Sequence, residues 1–137
     1  MGSILIVDDN LDGCRPLAKL LKHQGHRGIC VGSGEEALAY LRSHRPDLVL
    51  LDVMMPDVDG YEVLRAVRRD PRTAHVPVIM FSAVAGEFID RAFREGATDY
   101  WLKGTLGADL ITAGLARHLS GRTWPGEGEA GAPSPAA

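Results

Sequence analysis

The chain has 137 residues, a formal net charge of −3, and is 45% hydrophobic and 24% charged. At roughly 150 residues per domain that is one domain, large enough to hide about two-thirds of its unfolded surface without disulfides or structural metal. The acidic balance gives no electrostatic case for nucleic acid or anionic membrane as a partner, and no apolar run approaches the roughly 18 residues of a membrane span.

The first basic residue, Arg15, lies too far along for a secretion signal, so the expected location is the cytoplasm. Cys14 and Cys30 form no Cys-x-x-Cys pair and sit in apolar stretches, so they are expected as buried free thiols.

Ile4-Leu5-Ile6-Val7 is short, β-branched and continuous, the pattern of a strand buried on both faces. Asn10 caps a helix whose inner face carries Cys14, Leu17 or Ala18, and Leu21, with Gly25 placed to end it. Ile29-Cys30-Val31 is a second strand. Ser33 and Glu36 form a capping box for a helix with Ala37, Leu38 and Leu41 inward. Leu48-Val49-Leu50-Leu51 is a third strand that runs into Asp52, and a turn-rich loop, Met54 to Gly60, leads to a helix with Val63, Leu64 and Val67 inward. Pro77 to Phe81 forms the fourth strand, with proline where the missing amide matters least. Ile89, Ala92 and Phe93 mark the next helix, Tyr100-Trp101-Leu102 the fifth strand, and Leu110, Ile111, Leu115 and Leu119 stripe the last helix. Strands alternating with helices imply an α/β fold, a parallel sheet covered on both faces. Residues 121–137 are rich in Gly, Pro and Ala without periodicity, so the expected organisation is a folded domain over 1–120 and a disordered tail.

In an open α/β sheet, ligands bind outside the carboxyl ends of the strands. Those ends deliver Asp8 and Asp9, Asp52, Ser82 and Lys103 to one edge. Crowded carboxylates need a compensating cation, and hard oxygen ligands suit Mg²⁺. A divalent ion, a lysine and a hydroxyl can stabilise a phosphoryl group in transfer, with one aspartate as nucleophile. Taken singly, the same residues have plainer readings: Asp8-Asp9 as helix caps, Ser82 as a loop hydroxyl, Tyr100 as a half-buried strand aromatic. His23, His26, His44, His75 and His118 lack metal spacing, and Arg65, Arg68, Arg69 and Arg72 are expected as a solvated helix face.

Asp8-Asp9, Leu50 to Gly60, Pro77 to Ala83 and Gly96 to Lys103 together resemble the receiver domain of bacterial response regulators, over about residues 4–119. The resemblance implies a flavodoxin-like, doubly wound five-stranded sheet in the order 2-1-3-4-5 with five helices. It implies Asp52 as phosphoacceptor and a Mg²⁺ site made by Asp9, Asp52 and the Met54 backbone carbonyl, with Asp8 acting through ordered water. It further implies that Lys103 pairs with a phosphoryl oxygen, that Ser82 and small Ala83 receive the phosphate, and that Tyr100 is the aromatic that rotates inward on switching. A sensor histidine kinase or histidine phosphotransfer protein would be the donor, and an unidentified protein the target. The chain is expected to be a stand-alone receiver and not an enzyme. The alternatives are an unphosphorylated receiver-like interaction module and an aspartate-nucleophile phosphohydrolase, which would usually carry a second aspartate two residues after the nucleophile, where this chain has Met54. Gly104 stands where the family commonly has proline, so the Lys103–Gly104 bond is expected to be trans. Met54 and Val84 occupy two positions at which the family can orient a hydrolytic water, and their weak hydrogen-bonding capacity implies slow phosphate loss.

Overall fold

The computed structural model describes residues 2–120, and the expected tail over 121–137 lies outside that range. Its elements are β1 (Ser3–Val7), α1 (Leu11–His23), β2 (Arg27–Val31), α2 (Gly34–Ser43), β3 (Leu48–Leu51), α3 (Gly60–Arg69), β4 (Val78–Ser82), α4 (Glu87–Arg94), β5 (Asp99–Leu102) and α5 (Ala108–Ser120). The strands pair in parallel in the order β2-β1-β3-β4-β5, the flavodoxin-like order expected.

Alternation along the strands builds two cores, because successive side chains point to opposite faces. Leu5, Val7, Val49, Leu51, Val78 and Met80 face α2, α3 and α4, meeting Ala37, Leu41, Leu64, Val67 and Ala92. Ile4, Ile6, Leu48, Leu50, Ile79 and Trp101 face α1 and α5, meeting Leu17, Leu21, Ile111, Leu115 and Leu119. Two positions expected to face inward do not: Phe93 of α4 is 47% exposed and Leu110 of α5 is 59% exposed. In α5 the buried positions among the described residues are Ile111, Gly114, Leu115 and Leu119.

Helix starts follow side-chain chemistry. The Asn10 carboxamide accepts from Gly13 N, and the Ser33 hydroxyl from Glu36 N. Glu36 reaches back to Gly32 N, one residue before the expected cap. The reciprocal capping box opens α3 instead, where Asp59 accepts from Glu62 N and Glu62 from Asp59 N.

The free-thiol expectation is overturned: Cys14 and Cys30 form a disulfide, with their Cα atoms 6.2 Å apart. Cys30 lies in register with Ile6, so it points to the α1 side of the sheet, and Cys14 lies on the buried stripe of α1. Parity and stripe bring the two sulfurs into one layer.

The solvated arginine face is also corrected, at Arg68. Its guanidinium donates to the carbonyls of Gly96 (2.9 Å), Ala74 (3.0 Å) and Val76 (2.6 Å) and to the Thr98 hydroxyl (3.2 Å). Arg72 bonds Asp70 and the Leu41 carbonyl, and Arg65 pairs with Glu95. The large Trp101 side chain is accommodated by Gly114 of α5: a β-carbon there would lie 2.5 Å from the indole.

Candidate functional site

Register places the site. Ile6, Leu50 and Trp101 all point toward α1 and α5, and two residues beyond each, with the same parity, stand Asp8, Asp52 and Lys103. The strand ladders continue to these residues: Asp8 N donates to the Val31 carbonyl, Asp52 N to the Val7 carbonyl and Lys103 N to the Ser82 carbonyl. The carboxylates and the ammonium therefore meet at one edge. Lys103 Nζ lies 2.5 Å from Asp8 Oδ2 and 3.4 Å from Asp52 Oδ2. Oxygen atoms of Asp8, Asp9 and Asp52 all lie within 4.8 Å of one another, with Asp8 and Asp52 buried and Asp9 exposed.

The backbone around Asp52 is tightly packed. Gly60 N donates to the Val53 carbonyl, and a β-carbon at Gly60 would lie 2.1 Å from the Asp52 carbonyl oxygen, so α3 can start there only with glycine. Met54 N points at Asp52 Oδ1 from 3.4 Å, while the Met54 side chain is exposed. Gly104 takes φ +84° and the described residues contain no cis peptide bond, so the chain leaves Lys103 through a trans bond and a glycine turn.

Charge at the edge is unequally compensated. Burial pushes the Asp52 carboxyl above its ordinary pKa, and the Asp8 charge adds to this; Lys103, the Ser82 hydroxyl and the Met54 amide act in the opposite direction without cancelling it. The shorter contact of Lys103 is with Asp8, which leaves Asp52 the less neutralised of the two. For Lys103, burial favours the neutral amine, but Asp8 and Asp52 together outweigh it and raise its pKa, so it stays an ammonium.

Ser82 is buried at the end of β4, with the exposed Ala83 beside it. Tyr100 packs against the α2–α4 core, and its hydroxyl donates to the Val84 carbonyl, so the ring is turned inward here. Asp8, Asp9, Asp52, Met54, Ser82, Ala83, Tyr100 and Lys103 therefore all lie at or next to this edge.

Two further residues, Asn10 and Phe81, belong to the site, and a third, Tyr61, links the helices that flank it. Asn10, read only as a cap, also donates its backbone N–H to Asp8 Oδ1 at 2.9 Å. Phe81 lines the cleft, its ring centroid 5.8 Å from Lys103 Nζ. Tyr61 donates its hydroxyl to the Phe88 carbonyl and lies under the Arg91 guanidinium, joining α3 to α4. For Phe81 a signal existed, since it immediately precedes Ser82 on a strand that alternates faces.

Residues 4–114 match the response regulator receiver domain. The chain belongs to the response regulator receiver family. Its sequence is 40% identical over 112 residues to the transcriptional regulatory protein AfsQ1 of Streptomyces coelicolor, a match covering 80% of this chain and 48% of AfsQ1. The chain thus spans about half the length of that relative. It is 34% identical over 100 residues to the polar-differentiation response regulator DivK of Brucella anthropi, covering 73% of this chain and 81% of DivK. Among solved structures it resembles the receiver domain of the sensor histidine kinase PA1611 of Pseudomonas aeruginosa, with TM-score 0.79 and 27% identity over 87% of this chain and 98% of that one. That structure has a magnesium ion coordinated in its active-site cleft. Receiver domains are components of two-component phosphorelay signalling and interact with histidine kinases or phosphotransfer proteins. No helix of this receiver, among the described residues, is long and apolar enough to cross a membrane.

Proposed function

We propose that this receiver accepts a phosphoryl group on Asp52 from a histidine kinase or histidine phosphotransfer protein, and that phosphorylation changes a partner-binding surface. The observation that carries the reading is the meeting of Asp8, Asp9, Asp52 and Lys103 within one small cluster at the carboxyl edge of the sheet.

The donor set fits a magnesium ion: three carboxylates face one ammonium, all donors are hard oxygens, and Asp9 leaves one side open to water. Asp8, Asp9, Asp52 and the Met54 carbonyl would hold it. When bound, it neutralises charge on the phosphoryl oxygens. The protein's own residues do the rest. An Asp52 carboxylate oxygen attacks phosphorus, and the bond from phosphorus to the donor nitrogen breaks, leaving the imidazole with that electron pair. Lys103 moves its interaction from the Asp52 oxygen to a phosphoryl oxygen, retaining Asp8 as its anchor. Ser82 donates its hydroxyl to the same group, with Ala83 leaving room beside it, and the Tyr100 bond to the Val84 carbonyl transmits the shift to the loop before α4. The responsive surface is then α4, β5 and α5.

Receiver domains are typically non-enzymatic signalling modules, and a turnover role has little support in this chain. Two residues past Asp52 stands Met54, whose thioether cannot serve as a general acid.

The test is incubation with a small acyl-phosphate donor, read by intact mass. Wild type should gain one phosphoryl group only with Mg²⁺ present, and Asp52→Asn should gain none. Equal labelling of Asp52→Asn would refute the assignment.

A further inference from the structure

The Cys14–Cys30 disulfide lies outside the phosphoryl-accepting machinery but shares a wall with it. A cavity of about 220 Å³ is lined by Cys14, Asn10 and Gly13 of the α1 side and by Asp8, Asp52 and Lys103 of the acidic edge. Cys14 therefore borders the space into which the carboxylates open, one helical turn beyond the Asn10 cap.

The first turn of α1 is weak by composition. Gly13 is a poor helix former, and Pro16, inside the helix, has no amide to donate to the carbonyl of Asp12. Leu11, Asp12 and Gly13 are all exposed, so packing holds this turn little. Yet the turn carries the acidic edge with it: Asn10 is bonded through its backbone N–H to Asp8 Oδ1, and Asp9 lies between them. The first fixed point along α1 is Cys14, which is buried and covalently joined to β2 at Cys30. Cys30 lies on the edge strand β2, in register with Ile6 of β1, so the cross-link ties α1 to the sheet through the β1–β2 ladder.

We propose that Cys14–Cys30 is a reversible thiol–disulfide site, and that closing it fixes the first turn of α1 so that the oxidised protein binds Mg²⁺ more tightly than the reduced protein. The chemical class of co-reactant is a dithiol. One of its thiolates attacks a protein sulfur, forming a mixed disulfide and releasing the other protein sulfur as a thiolate that takes up a proton. The second thiol of the reagent then resolves the mixed disulfide. The protein pair gains two electrons and two protons, and the reagent becomes a cyclic disulfide; a small-molecule disulfide runs the exchange backwards. Cys14 is buried at the cavity wall, and Cys30, half-buried on β2, is the more open of the two to a small reagent. The metal part of this proposal rests on the function proposed above, whereas the cross-link and its effect on α1 do not.

The experiment uses the full chain, oxidised with oxidised glutathione or reduced with dithiothreitol. Thiols are counted by alkylation and intact mass, amide exchange is followed over residues 11–17 without metal, and Mg²⁺ binding is measured by calorimetry. The oxidised form should show no alkylatable thiol and slower exchange in the first turn of α1. It should also bind Mg²⁺ about fivefold more tightly, less than the ~10–100-fold lost when a group bonded directly to a metal ligand is removed. The Cys14→Ser/Cys30→Ser double variant should match the reduced form and ignore both reagents. Two alkylatable thiols after oxidation, or exchange and Mg²⁺ affinity equal in the two states, would overturn the inference. Absence of Mg²⁺ binding in both states would instead defeat the functional reading and the metal part of the inference with it, leaving the exchange measurement to judge the cross-link.

Discussion

Lys103 and Arg68 are both half-buried cations, and they sit at opposite ends of the same two strands. Arg68 ties the segments that enter β4 and β5, bonding the Ala74, Val76 and Gly96 carbonyls and the Thr98 hydroxyl. Lys103 stands where β5 leaves the sheet, between Asp8 and Asp52. The partners of Arg68 are neutral dipoles that take four of the five N–H donors of its planar guanidinium, so the arrangement binds segments together rather than balancing charge. Lys103 faces more carboxylates than it can neutralise, and burial, with the Asp8 charge adding to it, holds Asp52 above its usual pKa despite the lysine. A cation satisfied by carbonyls fixes structure. A cation outnumbered by carboxylates marks a place where another charged group is meant to arrive.

The comparison breaks most visibly if the two cations are exchanged for methionine, which keeps the apolar stem. Lys103→Met should slow phosphorylation of Asp52 by about 10²–10³-fold, the usual loss when one group stabilising transferred charge is removed. Arg68→Met should instead cost about 2–4 kcal/mol of folding stability, since it strands several acceptors of charge-assisted bonds. Its phosphorylation rate per folded molecule should be unchanged. Urea unfolding and initial-rate labelling on both variants decide the matter, and a reversed pattern would mean that the two roles have been assigned to the wrong ends.

Most of the acidic edge was legible in the sequence for a topological reason. Parallel strands all present their carboxyl ends to one side, so Asp8, Asp9, Asp52, Ser82 and Lys103 converge whatever the details of the loops. The role of Arg68 was not legible. Its spacing shows that it leaves the inner stripe of α3, but only the folded chain shows that Thr73–Val76 and Gly96–Thr98 close over it. The disulfide was hidden similarly: Cys14 and Cys30 lie on different elements, and their meeting depends on the register of β1 with β2. The outward turn of Leu110 and Phe93 follows from where α5 and α4 pack, which an apolar stripe alone leaves open by one position.

A smaller effect sharpens the idea that the edge holds charge without promoting hydrolysis. Met54, two residues past Asp52, is exposed and Val84, two past Ser82, is half-buried, and neither side chain offers a strong hydrogen bond to an incoming water. Met54→Asn and Val84→Glu should each hasten phosphate loss by about tenfold or more, within the ~10²–10⁴-fold that a positioned group can supply. Decay after donor removal measures this, and unchanged rates would mean that water is placed by something else.

The smallest effect lies away from both cations, where Trp101 fits over Gly114. Gly114→Ala sets a methyl against the indole and should destabilise the fold by about 1–3 kcal/mol, although alanine is the better helix former. Denaturant unfolding checks the sign: a stabilised variant would show that α5 can shift away from β5 at no cost.

The central claim is that Asp52, the less neutralised of the two carboxylates beside Lys103, is the residue that takes the phosphoryl group. Peptide mapping by tandem mass spectrometry after acyl-phosphate treatment in Mg²⁺ tests it directly. The modification is expected on Asp52 alone, and a phosphoryl group found on Asp8, Asp9 or Ser82 with Asp52 unmodified would contradict it.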